Sequence, residues 1–272
     1  MQKNTIVMIL GIILAVLLMI ELLYLYYYHR WEHLWALEER EQVYKVKQPS
    51  KDALKLIVIG DSWAGLHSKG GLDSFLQSHL AKQVMEPVSV KSRGKGGEKT
   101  KGIYHLIYES GEYGLRPLLT DGADYCVVFA GINDAAANLG TRQYCYYYRL
   151  IIDFLLTNHI RPVLVEIPNV NIWQIYGDKP IKDLLSDYVK SKMTNCRMYS
   201  YKEYREALFT MLTNEHLIEK ILYVKMDEWD PSSPQIDRDL FMDDQIHLNR
   251  KGYEVLDSCI AKAVAEDFSK VD

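Results

Sequence analysis

From residue 54 to residue 268, short apolar runs alternate with longer amphipathic stretches, and this alternation limits the fold more than any other feature of the chain. Candidate strands are 54–59, 88–91, 125–130, 162–167 and 221–224. Helical patterns lie between and after them, over 72–82, 100–109, 144–156, 182–193, 201–212 and 252–268. In the last, Val255, Leu256, Cys259, Ile260, Ala263 and Val264 form one apolar stripe. Near-continuous apolar strands, each followed by a helix, predict a parallel sheet covered on both faces.

Residues 6–28 are apolar except for Gly11 and Glu21. As a helix they extend about 35 Å, enough to cross a bilayer. The run is too long for a signal peptide, and no small-x-small cleavage site follows it. Tyr24, Tyr26, Tyr27, Tyr28, Trp31 and Trp35 crowd its far end as an aromatic belt does. The expectation is a tail over 1–5, a single-pass membrane anchor over 6–28, a charged, helix-prone stalk or linker over 29–52 and a globular domain over 53–270. The stalk is broken at Pro49-Ser50-Lys51-Asp52. Lys3 lies on one flank of the anchor and Arg30, Arg40, Lys45 and Lys47 on the other, which leans toward a cytoplasmic domain.

A net charge of -4 gives no reason to expect nucleic acid as a partner. None of the four cysteines, Cys126, Cys145, Cys196 and Cys259, forms a C-x-x-C pair, so they read mostly as buried thiols rather than a disulfide framework or zinc site. The tyrosine cluster at 146–148 reads as half-buried helix packing or as aromatic surface beside a groove or interface.

Four turns carry residues suited to chemistry. The strand ending at Ile59 runs into Gly60-Asp61-Ser62-Trp63, which sets a serine at the carboxyl edge of the sheet, where open α/β folds bind ligands. A serine hydroxyl becomes a nucleophile when a histidine, held by a carboxylate, takes its proton. Asp244-Gln245-Ile246-His247 supplies both groups just before the last helix. The strand ending at Ala130 runs into Gly131-Ile132-Asn133-Asp134, where the asparagine amide suits either an oxyanion or a helix cap. Gly94-Lys95-Gly96-Gly97-Glu98-Lys99-Thr100 is not a phosphate loop, because Glu98 stands where that motif needs glycine. Such a turn ahead of a helix instead presents a backbone N–H to an oxyanion.

Together these four stretches resemble the SGNH hydrolase family, also called GDSL esterases and lipases, over most of residues 54–268. The resemblance implies an α/β fold, a three-layer flavodoxin-like sandwich with a five-stranded parallel sheet, here preceded by one transmembrane helix. It implies Ser62, Asp244 and His247 as catalytic residues, and Ser62, Gly97 and Asn133 as the oxyanion hole, with Gly96 close enough to Gly97 to stay in play. No metal or cofactor is required. Two positions depart from the family pattern. Trp63 follows the serine where a smaller aliphatic residue is usual, and is a candidate substrate-binding residue or a core residue. Ser92 stands where many members have asparagine. The α/β-hydrolase elbow G-x-S-x-G fits less well, since Ala64 occupies the second glycine's place.

The implied function is a serine esterase acting on short acyl esters, O-acetyl groups on carbohydrate above all. The partners are then an acylated small molecule or glycan and, through residues 6–28, the membrane. An O-acyltransferase modifying a surface polysaccharide, a lipid esterase and a non-catalytic, membrane-tethered glycan-binding module are the alternatives. A glycan substrate suits an outward-facing domain, against the lean of the charge count, so the side of the membrane and the oligomeric state stay open.

Overall fold

Five short apolar strands form one fully parallel sheet in the computed structural model, which describes residues 2–49, 52–168, 170, 173, 178–225 and 238–270. In chain order the elements are α1 (Gln2–Trp35), β1 (Leu54–Gly60), α2 (Ser62–Lys69), α3 (Leu72–Val84) and β2 (Val88–Gly94). Then follow α4 (Thr100–Leu106), α5 (Arg116–Thr120), β3 (Tyr125–Phe129), α6 (Ile132–Ala136), α7 (Thr141–Thr157) and β4 (Arg161–Val165). The chain closes with α8 (Ile181–Met193), α9 (Tyr201–Asn214), β5 (Leu222–Val224) and α10 (Arg250–Phe268).

The strand order is β2-β1-β3-β4-β5. The chain reverses its direction of travel across the sheet between β1 and β3, and a crevice outside the carboxyl ends of the strands is the usual ligand position in such a sheet. Period-2 alternation divides the core into two layers. Ile57, Ile59, Cys126 and Val128 face a core shared with α4, α5, α6, α7 and α9. Leu56, Val58, Val127 and Phe129 face the other, shared with α2, α3 and α10. This is the expected three-layer α/β sandwich.

Several expected elements shift. The strand expected over 162–167 begins one residue earlier and ends at Val165. Helix α2 had no counterpart in the sequence pattern, because it is short and carries Gly65 at its centre. In α10 the buried residues are Gly252, Tyr253, Leu256, Asp257, Ile260, Ala261 and Val264, so the core-facing stripe is rotated from the expected one and includes an acid. Cys126 is fully buried, while Cys145, Cys196 and Cys259 are only half-buried free thiols.

Helix α1 has the length and composition of a membrane anchor or a signal sequence, with none of its apolar segment buried. Of the residues expected as a stalk, 29–35 continue this helix, 36–49 lie extended on the domain and Ser50 and Lys51 fall outside the described residues, as do Met1 of the expected tail and residues 169, 171–172, 174–177 and 226–237 of the expected domain. Four tyrosines, Tyr44, Tyr104, Tyr108 and Tyr147, and Lys101 help to hold the extended segment. Tyr147 Oη donates to the Ala36 carbonyl at 2.9 Å and accepts the Glu38 N–H at 2.9 Å. Lys101 Nζ donates to the Ala36 carbonyl at 3.0 Å. Tyr104 Oη accepts the Arg40 N–H at 2.7 Å, and Tyr44 Oη donates to the Ile107 carbonyl at 2.8 Å. Lys47 N–H donates to the Thr120 carbonyl at 3.0 Å. The tyrosine-rich face of α7 therefore has a role in packing: Tyr144, Tyr147 and Tyr148 are fully buried, and Tyr146 is half-buried.

Candidate active site

β1 ends in a turn that favours glycine. Gly60 has φ +150°, and a Cβ there would run into the Phe129 carbonyl of β3. Asp61 N–H donates to that carbonyl at 3.1 Å, and Asp61 Oδ1 accepts the Trp63 N–H at 3.0 Å, capping α2. Ser62 thus becomes the first residue of a helix at the carboxyl edge. A Cβ on Gly94 would strike the Asp61 carbonyl and the Gly65 N–H, so α2 lies directly against the end of β2.

The segment before α10 folds back to meet this serine. Phe241 and Leu248 form an antiparallel bridge, Met242 N–H donates to the His247 carbonyl at 2.7 Å, and Asn249 N–H donates to the Leu240 carbonyl at 3.0 Å. Gln245 closes the turn in the left-handed region, φ +57°. Asp244 Oδ1 accepts the N–H groups of Ile246 and His247 at 3.0 and 2.9 Å, which builds the turn. Its Oδ2 meets His247 Nδ1 at 2.5 Å, and His247 Nε2 lies 2.8 Å from Ser62 Oγ. Burial alone would raise the Asp244 carboxyl, but the bonds from the His247 ring and from the two N–H groups outweigh it and hold the carboxyl below its ordinary value. A carboxylate, an imidazole and a hydroxyl in this order let the ring take the hydroxyl proton while the carboxylate fixes its tautomer.

The glycine turn after β2 lies beside them. Lys95 N–H donates to the Gly60 carbonyl at 3.1 Å, and Glu98 N–H donates to the Lys95 carbonyl at 3.2 Å. Of the two central residues only Gly97 has positive φ, +71°, so Gly97 is the position where this turn demands glycine and Gly96 is not. Asn133 joins the two turns. Its Nδ2 donates to the Glu98 carbonyl at 3.0 Å and to Asp61 Oδ2 at 3.2 Å. Ser62, Asn133 and the Gly97 turn are thereby brought together. Beneath them Asp134 Oδ2 accepts Thr100 N–H and Oγ1 at 3.0 and 2.9 Å, fixing the start of α4. Burial pushes Asp134 up to about 6 and Asp61 up to about 7.

Trp63 is 3% exposed, with its ring between those of Phe129 and Tyr253 at 6.0 and 6.4 Å. It also lines a small recess with Asp61, Phe129, Ile132, Val165 and Ile167. Ser92 Oγ bonds the carboxylate of Asp73, away from the Gly97 turn.

Three supporting residues have no motif to announce them. His67 of α2 is fully buried, its Nδ1 2.9 Å from Asp73 of α3 and its Nε2 3.1 Å from Asp257 of α10. Tyr253 Oη donates to the Trp63 carbonyl at 2.9 Å. Asn249 caps α10 by accepting the Gly252 N–H at 3.0 Å, and its Nδ2 donates to the Phe241 carbonyl at 3.1 Å. The available signal was Asp257, which falls in helical phase with Tyr253, Leu256, Ile260 and Val264.

The sequence model of the GDSL-like lipase/acylhydrolase family matches residues 58–255. Among curated proteins, no relative matches the chain. Among solved structures, the lipase/acylhydrolase from Enterococcus faecalis is similar, with 15% identity and a TM-score of 0.58 over 79% of this chain and 96% of that one. The psychrotrophic esterase EstA from Pseudoalteromonas sp., inhibited by monoethylphosphonate, superposes with 13% identity and a TM-score of 0.54 over 79% and 98%. The lipase Lip_vut3 from a goat rumen metagenome gives 12%, 0.51, 78% and 97%. At these identities the likeness concerns the fold.

Proposed function

Because the chain belongs to the GDSL-like lipase/acylhydrolase family and is a carboxylic ester hydrolase, we propose that it removes short acyl groups, O-acetyl above all, from carbohydrate through a Ser62–His247–Asp244 triad. The 2.8 Å approach of His247 Nε2 to Ser62 Oγ carries this reading.

His247 takes the Ser62 proton as Oγ attacks the ester carbonyl. The N–H groups of Ser62 and Gly97 and the Asn133 amide receive the oxyanion. Both Asn133 bonds are to oxygens of the protein, and the longer one, to Asp61, is the one to yield as negative charge grows on the substrate. Protonated His247 passes its proton to the leaving alkoxide and an acyl-serine forms. Water, deprotonated by the same ring, then releases the acid. Asp244 holds the ring and stabilises its charge.

The small recess beside Asp61 favours a short acyl group, with Trp63 as its buried wall. We read helix α1 as a single-pass anchor over 6–28 and residues 53–270 as the catalytic domain it holds at a membrane; the length and apolar composition of α1 support that reading. The test uses the full chain in detergent with aryl acetate, butyrate and octanoate. Acetate should be the best substrate, and Ser62→Ala should abolish turnover and fluorophosphonate labelling. Undiminished turnover in that variant would sink the triad, and a preference for octanoate would sink the short-acyl reading. Product analysis with a saccharide acceptor present separates hydrolysis from acyl transfer.

A further inference from the structure

The extended segment 36–49 has a direction, and that direction orients the active site. Its first bonds are to Lys101 and Tyr147. Lys101 follows Thr100, the residue bonded to Asp134 beside Asn133, so the segment starts at the carboxyl edge of the sheet. The next bonds descend along α4, through Tyr104 to Ile107. The last, Lys47 to Thr120, lies just ahead of β3 at the amino edge. The end of α1 is therefore at the edge that carries Ser62, Asn133 and His247.

Helix α1 is seated at that edge. Trp31 is 7% exposed, and Lys190 Nζ of α8 lies 5.1 Å from the centre of its indole. Lys190 also pairs with Asp187, which accepts from Tyr199 Oη at 2.6 Å, so the contact is backed by a buried network. Residues 4–26 of α1 are exposed along their length. With 6–28 in the hydrocarbon, only one short helical piece separates the bilayer from the domain. Seven residues, 29–35, rise about 10 Å, only a little more than the depth of one headgroup layer, about 5–8 Å.

We propose that the catalytic edge faces the bilayer spanned by α1, and that the enzyme acts on an ester presented at that surface: the acylated headgroup of an amphiphile held in the same membrane. This deepens the esterase reading and rests on it, and on α1 as the anchor. A soluble ester reaches the serine by diffusion. A membrane-borne ester shares a thin layer with the site and gains from effective concentration.

The experiment uses the full chain in phospholipid nanodiscs. The probes are a sugar acetate tethered to a lipid tail, the same sugar acetate untethered, and a short-chain glycerolipid ester. At equal total ester, the tethered acetate should be cleaved at least about tenfold faster than the untethered one. Lys101→Ala with Tyr147→Phe, which loosens the segment where it meets α1, should remove most of that advantage while the rate on soluble aryl acetate stays within about twofold. Cleavage of the glycerolipid ester but not the tethered sugar acetate would keep the surface assignment and change the headgroup from saccharide to glycerol. Equal rates on tethered and untethered acetate, with Ser62 still labelled by fluorophosphonate, would overturn the orientation and leave the esterase reading standing. Failure of the full chain to co-purify with discs would overturn it as well. Loss of turnover on every ester together with loss of labelling would instead overturn the esterase reading beneath it.

Discussion

His67 shows how far a single buried side chain supports the active site. Burial alone would lower its pKa, but the bonds its ring donates to the carboxylates of Asp257 and Asp73 outweigh that and push it up to about 9. Ser92 and the ring of Tyr253, 5.8 Å away, complete its surroundings, and His79 contributes a weaker charge near Asp257. The folded pKa lies above that of a free histidine, so the stabilisation is complete below about pH 6.5 and is lost as pH rises through about 9. Urea melts from pH 6 to 10 should show stability falling on the alkaline side. In His67→Gln that fall should be smaller, since the thiols of Cys126 and Cys145, which burial raises, keep their own alkaline contribution, and stability at pH 7 should be lower, since Asp257 keeps its burial and loses its cation. Identical pH profiles for the two proteins would refute the assignment. At the reacting atoms, Asn133→Ala should cost about 10²- to 10³-fold in kcat with little change in KM, measured on aryl acetate.

At the scale of elements, the loop and helix carrying His247 depend on Asn249, which does two separable things. Its Oδ1 caps α10, while its Nδ2 donates to the carbonyls of Phe241 and Asp239 on the opposite arm of the loop. Asn249→Ala should lose both, costing about 1 kcal/mol for the cap and lowering kcat as the imidazole loosens. Asn249→Ser keeps a capping oxygen but no amide, so thermal melts should recover while kcat stays low. Recovery of both together would show that the loop bonds are irrelevant. The same elements show why some of the molecule was legible in the sequence. β1, β3 and β4 are buried on both faces, so their apolar runs stand out, and glycine marks the turns after β1, β2 and β3. Asp244-x-x-His247 is local, and its spacing alone brings carboxylate and ring together. Helix α2 lacks an apolar stripe, and the link from His67 to Asp257 spans 190 residues, so neither leaves a periodic trace. The charged segment 36–49 reads as a linker because its fixed bonds are to partners distant in the chain, from Lys101 and Tyr147 at Ala36 to Ile107 at Tyr44.

For the whole molecule, that segment decides whether anchor and domain move separately or as one body. A free stalk would let the sheet tumble above the membrane. The structure instead lays Tyr44 and Val46 against the same core that α4 and α7 cover, with Arg116 5.0 Å from the Tyr44 ring centre. Burial outweighs the opposing charge of Arg116 and raises the Tyr44 hydroxyl far above its ordinary value, as expected for a phenol held in a packed seat. Tyr44→Ala removes a partly buried ring and the bond to the Ile107 carbonyl, which together should cost about 2 kcal/mol of unfolding free energy. It leaves Ser62, His247 and Asp244 untouched. In the full chain in detergent, amide exchange over 36–49 should be slow in the native protein and faster in Tyr44→Ala, while turnover of soluble aryl acetate stays the same. Fast exchange over 36–49 in the native protein would mean that the segment is a tether after all, and the active site would then have no fixed attitude to the membrane. Slow exchange, released by one tyrosine far from the serine, would show that the helix and the sheet are set in one orientation by the chain that joins them.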